Sequence, residues 1–371
     1  MLLAQRTRRS FGVFLAAWTL LAVSQPLPAA EPAGIDHKQL LHYLDDAGAR
    51  QPVKSREDWA RRRKQIIAGA ETLMGKLPDR SKLPELDVKL LEEITQEGIR
   101  RQSISLAGHY GERVTAYVWI PETKKGEKRP AVLALHPTGP LGKGIVAGLG
   151  PRANRQYAVE LAQRGYVVIA PDYVTFGDSL THNFATDQYE SGTMKGIADH
   201  MRSVDYLLSR SDVDPQRIAT IGHSLGGHNS IFLAVFDDRI KATVTSCGWC
   251  PFHDYYGGKV KGWAQERYMP LIETRYELNA DRIPVDFYEL VGAIAPRAFL
   301  SVSPLQDSNF DYRGVQKAMP EVAKVYDLLG ASDQVKVLYP DCMHDFPDDM
   351  RRASYRFIDR ALSHTPTKEV P

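Results

Sequence analysis

Residues 222–226 read Gly222-His223-Ser224-Leu225-Gly226. The apolar run Ile218-Ala219-Thr220-Ile221 precedes them directly, and the helix-like stretch 228–236 follows. A serine flanked in this way by glycines marks a strand that turns sharply into a helix. The turn strains the serine backbone and leaves its hydroxyl exposed at the positive end of the helix. A serine hydroxyl is a poor nucleophile at neutral pH. It needs a histidine to take its proton and a carboxylate to hold that histidine in the right tautomer. The chemistry to look for is therefore acyl transfer through a covalent intermediate on Ser224, with N–H donors for the oxyanion that develops on the substrate.

Position 130 marks a change of pattern. From there on, short continuous apolar runs alternate with amphipathic stretches, as in a parallel sheet buried on both faces. Strands are expected at 131–135, 166–170, 217–221, 241–245, 298–302 and 334–339, and helices at 154–164, 194–209, 226–236, 313–329 and 348–363. Two alternating runs, 100–106 and 112–120, look like a hairpin at the sheet edge. Residues 31–98 are charged and helix-like, and the run Arg61-Arg62-Arg63-Lys64 is expected to be a solvated helix face. There is no internal repeat.

Together these motifs resemble an α/β-hydrolase fold with a mostly parallel eight-stranded sheet, helices on both faces and the nucleophile after the fifth strand. Within that superfamily the chain resembles dienelactone hydrolase-like, acetyl xylan esterase-like and prolyl oligopeptidase catalytic domains over about 100–362. The resemblance implies the chain order serine, acid, histidine. His344, in Asp341-Cys342-Met343-His344-Asp345, lies between the last strand and the final helix and is the expected base. In the loop after 298–302 the family position of the acid falls on Asp307, with Asp311 as the alternative; the other expectation for Asp311 is a helix cap. Asp345 adjoins the base too closely to orient it, and His223 is expected to be structural. Oxyanion donors are expected from the backbone N–H of Leu225 and from the loop His136-Pro137-Thr138-Gly139-Pro140. Pro137 has no N–H to offer, which leaves that of Thr138.

Composition sets the remaining bounds. The 371 residues are 43% hydrophobic, which suits one large α/β domain. There are 47 basic and 45 acidic residues; without 1–30, which contain Arg6, Arg8 and Arg9, the balance is 44 against 45. No basic patch argues for nucleic acid. Residues 1–30 have a basic start, an apolar stretch too short to span a bilayer, and a Pro/Ala end. They read as a signal peptide, with Arg8-Arg9 suggesting the twin-arginine type, so a periplasmic or secreted protein without a stable membrane anchor is expected. The three cysteines are Cys247, Cys250 and Cys342. They are too few for a disulfide scaffold, and one structural disulfide among them is expected in an oxidising compartment. The Cys247-x-x-Cys250 spacing lacks the context of a redox or zinc site. The triad implies no metal and no organic cofactor.

About fifty residues separate the expected strands 241–245 and 298–302, long enough to form a cap between strands six and seven, at about 248–296. This stretch is rich in aromatic residues. Trp249, Tyr255 and Trp263 are candidate substrate-binding platforms, although such residues serve equally well as the core of the insert itself. A second insert, the glycine-rich 139–155, is placed to border the same cleft. The expected organisation is a signal peptide (1–30), a helical extension (31–98), a catalytic domain (99–364) and a tail (365–371). The leading function is a secreted serine esterase acting on small-molecule or carbohydrate esters, including acetyl and other acyl esters of plant carbohydrates. The alternatives are a prolyl oligopeptidase-like peptidase, against which the short segment before the first strand speaks, and a non-catalytic binding protein on the same scaffold.

Overall fold

The computed structural model describes residues 36–370; the expected signal peptide lies outside them. The described chain opens with an antiparallel hairpin of β1 (His42–Leu44) and β2 (Arg50–Pro52), followed by helix α1 (Arg56–Met74). Ser55 caps α1 by accepting the Asp58 N–H at 3.2 Å, and Glu57 and Asp58 place negative charge on its first turn. Trp59, Ile66, Ala70 and Leu73 form its buried stripe. Arg62 belongs to that stripe too: it is 1% exposed and pairs with the buried Glu289, while Arg63 bonds the Ala293 and Val235 carbonyls at 2.8 and 2.9 Å. Only Arg61 and Lys64 of the basic run face solvent, because the run crosses the boundary of the apolar stripe.

The central sheet comprises β3 (Lys89–Gln96), β4 (Ile99–Ala107), β5 (Arg113–Pro121), β6 (Arg129–Leu135), β7 (Val167–Pro171), β8 (Val213–His223), β9 (Ile240–Ser246), β10 (Ala298–Val302) and β11 (Val335–Leu338). Its order is β11-β10-β9-β8-β6-β7-β5-β4-β3. From β7 across to β11 the neighbours run parallel, and β3, β4 and β5 add an antiparallel edge. This is the α/β-hydrolase arrangement, with nine strands instead of the expected eight. The extra strand, β3, falls inside the expected helical extension. It pairs only with β4, all of its residues are exposed, and its Lys-Leu-Leu-Glu-Glu-Ile-Thr-Gln sequence does not alternate as a half-buried strand would. Its charges are those of a solvated edge strand.

The helices that complete the domain are α2 (Tyr157–Gln163), α3 (Gly192–Ser209), α4 (Leu225–Phe236), α5 (Leu271–Thr274), α6 (Phe287–Gly292), α7 (Tyr312–Leu328) and α8 (Asp348–Ala361). Strand residues alternate between two cores. Leu133 and Ile218 join residues of α1, α3, α4, α6 and α7 in one, while Val132, Ala134, Ala219, Ile221 and Val244 join α2 and α8 in the other. The sheet is thus covered on both faces, and its loop ends carry the candidate site.

Candidate active site

Ser224 sits between β8 and α4 with φ 56° and ψ −116°, and its N–H bonds Ser246 O at 2.8 Å. Such a backbone is held only by tight surroundings. A Cβ on Gly222 would lie 2.1 Å from the Gly226 carbonyl, and one on Gly226 would lie 1.9 Å from Leu135 O. The glycines therefore let the turn close on itself and let the start of α4 press against the end of β6.

Three loops converge on this turn. The loop after β11 brings His344 Nε2 to 2.9 Å from Ser224 Oγ. The loop after β10 brings Asp307 Oδ1 and Oδ2 to 3.0 and 2.9 Å from His344 Nδ1. A carboxylate only accepts, so Nδ1 carries the proton and Nε2 is left to accept the serine O–H. Asp307 has a fully buried side chain and also accepts the Asn309 and Phe310 N–H groups at 2.8 and 3.1 Å, which fixes its direction. Asp311 caps α7 instead, accepting the Arg313 N–H at 2.9 Å. The His344 ring lies near those of Phe310 and His223, with centroids 6.1 and 5.0 Å away. His223 is buried, stacks on Phe346 and bonds Ser246 Oγ at 3.1 Å. Burial, with the Arg155 cation nearby, holds its pKa well below the ordinary value, so the ring is neutral.

The third loop follows β6. His136 is buried, and burial lowers its pKa and keeps it neutral. Its Nε2 accepts the Tyr173 N–H at 2.9 Å, so Nδ1 bears the proton and donates to Pro137 O at 2.8 Å. The C=O and N–H of a trans peptide point in opposite directions. Anchoring Pro137 O on the buried His136 ring therefore turns the Thr138 N–H away from that ring, and Thr138 lines the cleft together with Ser224. Leu225 is the first residue of α4, so its N–H has no partner within the helix. The cleft measures about 530 Å³. Apart from His223, Ser224 and His344, its walls come entirely from 137–155: Pro137 to Leu141, Ile145, Pro151, Arg152 and Arg155.

A family model described as "Prolyl oligopeptidase family" matches residues 153–356, which span the nucleophile turn and the loops carrying Asp307 and His344. The chain belongs to this family. YtaP of Bacillus subtilis (strain 168), a protein ascribed hydrolase activity, is 30% identical over 320 residues, covering 82% of this chain and 99% of its own. Among solved structures, a glucuronoyl esterase from Solibacter usitatus superposes with a TM-score of 0.66 at 19% identity, over 89% of this chain and 98% of its own. An acetyl xylan esterase from Paenibacillus sp. R4 does so with a TM-score of 0.52 at 18% identity, over 80% and 92%. At these identities the two structures speak for the fold.

Several expectations about this family member need correcting. Trp249, Tyr255 and Trp263 are not platforms in the cleft. They are 1%, 8% and 3% exposed and pack with Phe252, Phe287 and Phe310 as the core of the insert. The insert expected as a cap at about 248–296 contributes no residue to the walls of the cleft around Ser224; the shorter glycine-rich segment after β6 does. All three cysteines are free thiols. Cys250 points into the apolar core, whereas Cys247 donates to Asp345 O at 3.2 Å, so the two face different surroundings. Burial, with Asp307 close by, pushes the Cys247 thiol well up from its ordinary pKa. Among the described residues the one group of three potential metal ligands is Cys247, Asp307 and His344, with ligand atoms within 4.8 Å. Two of these are already bonded to each other, and Nε2 of the histidine faces Ser224.

The glycine-rich segment 139–155 borders the cleft as expected, but sequence reasoning does not single out Arg152 and Arg155 within it. They fall at the edge of a stretch read as helix 154–164, whereas α2 begins at Tyr157, and no motif or periodicity distinguishes them there.

Proposed function

We propose that this protein is a serine hydrolase of carboxylic esters, and the chain Ser224 Oγ–His344 Nε2 at 2.9 Å, with His344 Nδ1 on Asp307 at 2.9 Å, carries the reading. In the first step His344 takes the serine proton as Oγ attacks the ester carbonyl, and Asp307 stabilises the imidazolium that results. The carbonyl oxygen becomes an oxyanion between the N–H groups of Leu225 and Thr138; each such donor is worth about 2.7–4 kcal/mol of transition-state stabilisation. His344 then returns the proton to the leaving alcohol. Water, deprotonated by the same ring, releases the acid from Ser224.

Esters of carbohydrates are the proposed substrate class. A cleft of about 530 Å³ is far larger than an acetyl group needs and has room for a sugar ring beside it. The fold neighbours, a glucuronoyl esterase and an acetyl xylan esterase, support the same substrate class. The signal-like sequence 1–30 fits a role outside the cytoplasm.

The test is turnover of p-nitrophenyl acetate by the wild type and by Ser224→Ala and His344→Ala. The reading expects a fall of at least about 10³-fold in kcat for each variant, with unchanged circular dichroism. Wild-type rates in either variant would overturn it. Faster turnover of a prolyl p-nitroanilide than of the ester would replace it with a peptidase.

A further inference from the structure

The walls of the cleft carry charge of one sign. Arg152 and Arg155 line it with Ser224 and His344, and no carboxylate is among its lining residues. His223 and His136 cannot balance or add to that charge, because burial holds both neutral. The two arginines are presented differently. Arg152 is exposed and makes no hydrogen bond or ion pair among the described residues. Arg155 is 3% exposed, and one end of its guanidinium is fixed: Nη1 bonds Asp345 Oδ1 at 2.6 Å and Asn154 Oδ1 at 2.7 Å. Asn154 Nδ2 in turn bonds both Asp345 oxygens at 2.8 Å. This lashes the arginine to the residue next to His344, while among the described residues all of its side-chain bonds come from Nη1, leaving Nε and Nη2 without one. Asp345 pairs with Arg155 and Asp307 with His344 behind the wall, which leaves Arg152 as the unpaired cation on the cleft surface among the described residues.

A buried guanidinium with a free edge, next to a second unpaired one and beside the nucleophile, is arranged to receive a planar anion. Arginine forks match carboxylates in two-point hydrogen bonds. We propose that Arg152 and Arg155 form an anion subsite that selects esters bearing a free carboxylate, on either the acyl or the alcohol side of the scissile bond. This builds on the esterase reading and narrows its substrate class. A uronic acid, or a hydroxy acid carrying an acyl group, has this chemistry; a neutral acetylated sugar does not.

The experiment compares matched pairs that differ only in charge: methyl hydrogen succinate with methyl succinamate for a carboxylate on the acyl side, and O-acetyl-lactate with O-acetyl-lactamide for one on the alcohol side. In the wild type at low salt, kcat/KM for the charged member of at least one pair should exceed that of its amide about tenfold, with the advantage shrinking as ionic strength rises. Arg152→Gln should bring that ratio down about tenfold. The pair that responds tells which side of the ester carries the carboxylate. A ratio near one in the wild type, or one unchanged in Arg152→Gln while esters are still hydrolysed, overturns the subsite and leaves the esterase reading standing. If no ester is hydrolysed, calorimetric binding of methyl hydrogen succinate to Ser224→Ala decides. Binding that Arg152→Gln abolishes keeps the subsite and sinks the esterase; no binding overturns the subsite as well.

Discussion

His136 never touches the substrate in this account, yet replacing it should damage catalysis. His136→Phe removes the donor to Pro137 O and the acceptor for the Tyr173 N–H. Both backbone groups are buried, at residues with little or no exposure. Leaving each unpaired costs about 1–3 kcal/mol, so a loss of about 2–6 kcal/mol in folding stability is expected. Catalysis suffers separately, because the Pro137–Thr138 peptide is then free to rotate and the Thr138 N–H no longer faces the oxyanion position. Losing one such donor lowers kcat by about 10²–10³. The contact forms only in the transition state, so KM should hardly move. His136→Gln, which keeps one donor and one acceptor, should recover part of both losses. The assay is kcat and KM on p-nitrophenyl acetate, with urea denaturation and near-UV circular dichroism on the same samples. A folded His136→Phe with wild-type kcat would refute the reasoning, either because that histidine does not hold the peptide or because Thr138 does not supply the donor.

Three further outcomes are expected. Gly226→Ala places a methyl group 1.9 Å from Leu135 O, so α4 and the end of β6 must separate; kcat should fall by about 10²-fold through misplacement of Ser224 against its donors, and retention of full activity would contradict the close contact. His200 and His228 are each held at a pKa of about 3, chiefly by complete burial, against 6.5 in the unfolded chain. Their neutral forms contribute stability that is complete above pH 6.5 and is lost as the pH falls toward 3, by about 1.4 kcal/mol per pH unit for each ring. Folding free energies from urea melts between pH 6 and 4 should show a slope that His200→Gln reduces by close to one proton, and parallel slopes would count against it. Arg351 forks onto Glu160 with two bonds of 2.9 Å, each side chain about 5% exposed or less. Glu160→Met should cost about 3–5 kcal/mol by removing both fork acceptors and the acceptor of the buried Tyr355 O–H, leaving Asp348 as the one carboxylate on Arg351, while Glu160→Met with Arg351→Met should cost less; an additive double variant would show that the pair is uncoupled.

The parts of this molecule legible in its sequence are those where a local pattern has a single structural solution. A glycine-flanked serine between an apolar run and a helix can form little else than the tight turn at Ser224, and the continuous apolar runs of β6 to β10 are consistent with little besides a doubly covered sheet. His344 and Asp307 could be placed because chain order in this fold sets which loops meet above the turn. Other features depended on tertiary partners that one-dimensional patterns do not carry. β3 is a strand only because β4 offers an open edge, and Arg62 is buried only because Glu289 lies opposite it. Trp249, Tyr255 and Trp263 have the composition of a sugar platform and of a small core alike, and what decided between them was the packing of Phe287 and Phe310 against the same cluster. That the glycine-rich segment 139–155 borders the cleft was legible from its place after β6, but which of its side chains line the wall, Arg152 and Arg155 among them, no spacing in the sequence announces.

Everything proposed for the site depends on Ser224 being an activated nucleophile. Its most direct test is the intact mass of the wild type, Ser224→Ala and Asp307→Asn after treatment with a fluorophosphonate. The account predicts one phosphonyl group per wild-type chain, mapped to the peptide containing Ser224, none on Ser224→Ala, and labelling slowed by about 10⁴-fold in Asp307→Asn, where the histidine loses its correct tautomer. A folded wild-type chain that takes up no label, or that takes it up on another residue, would contradict the account.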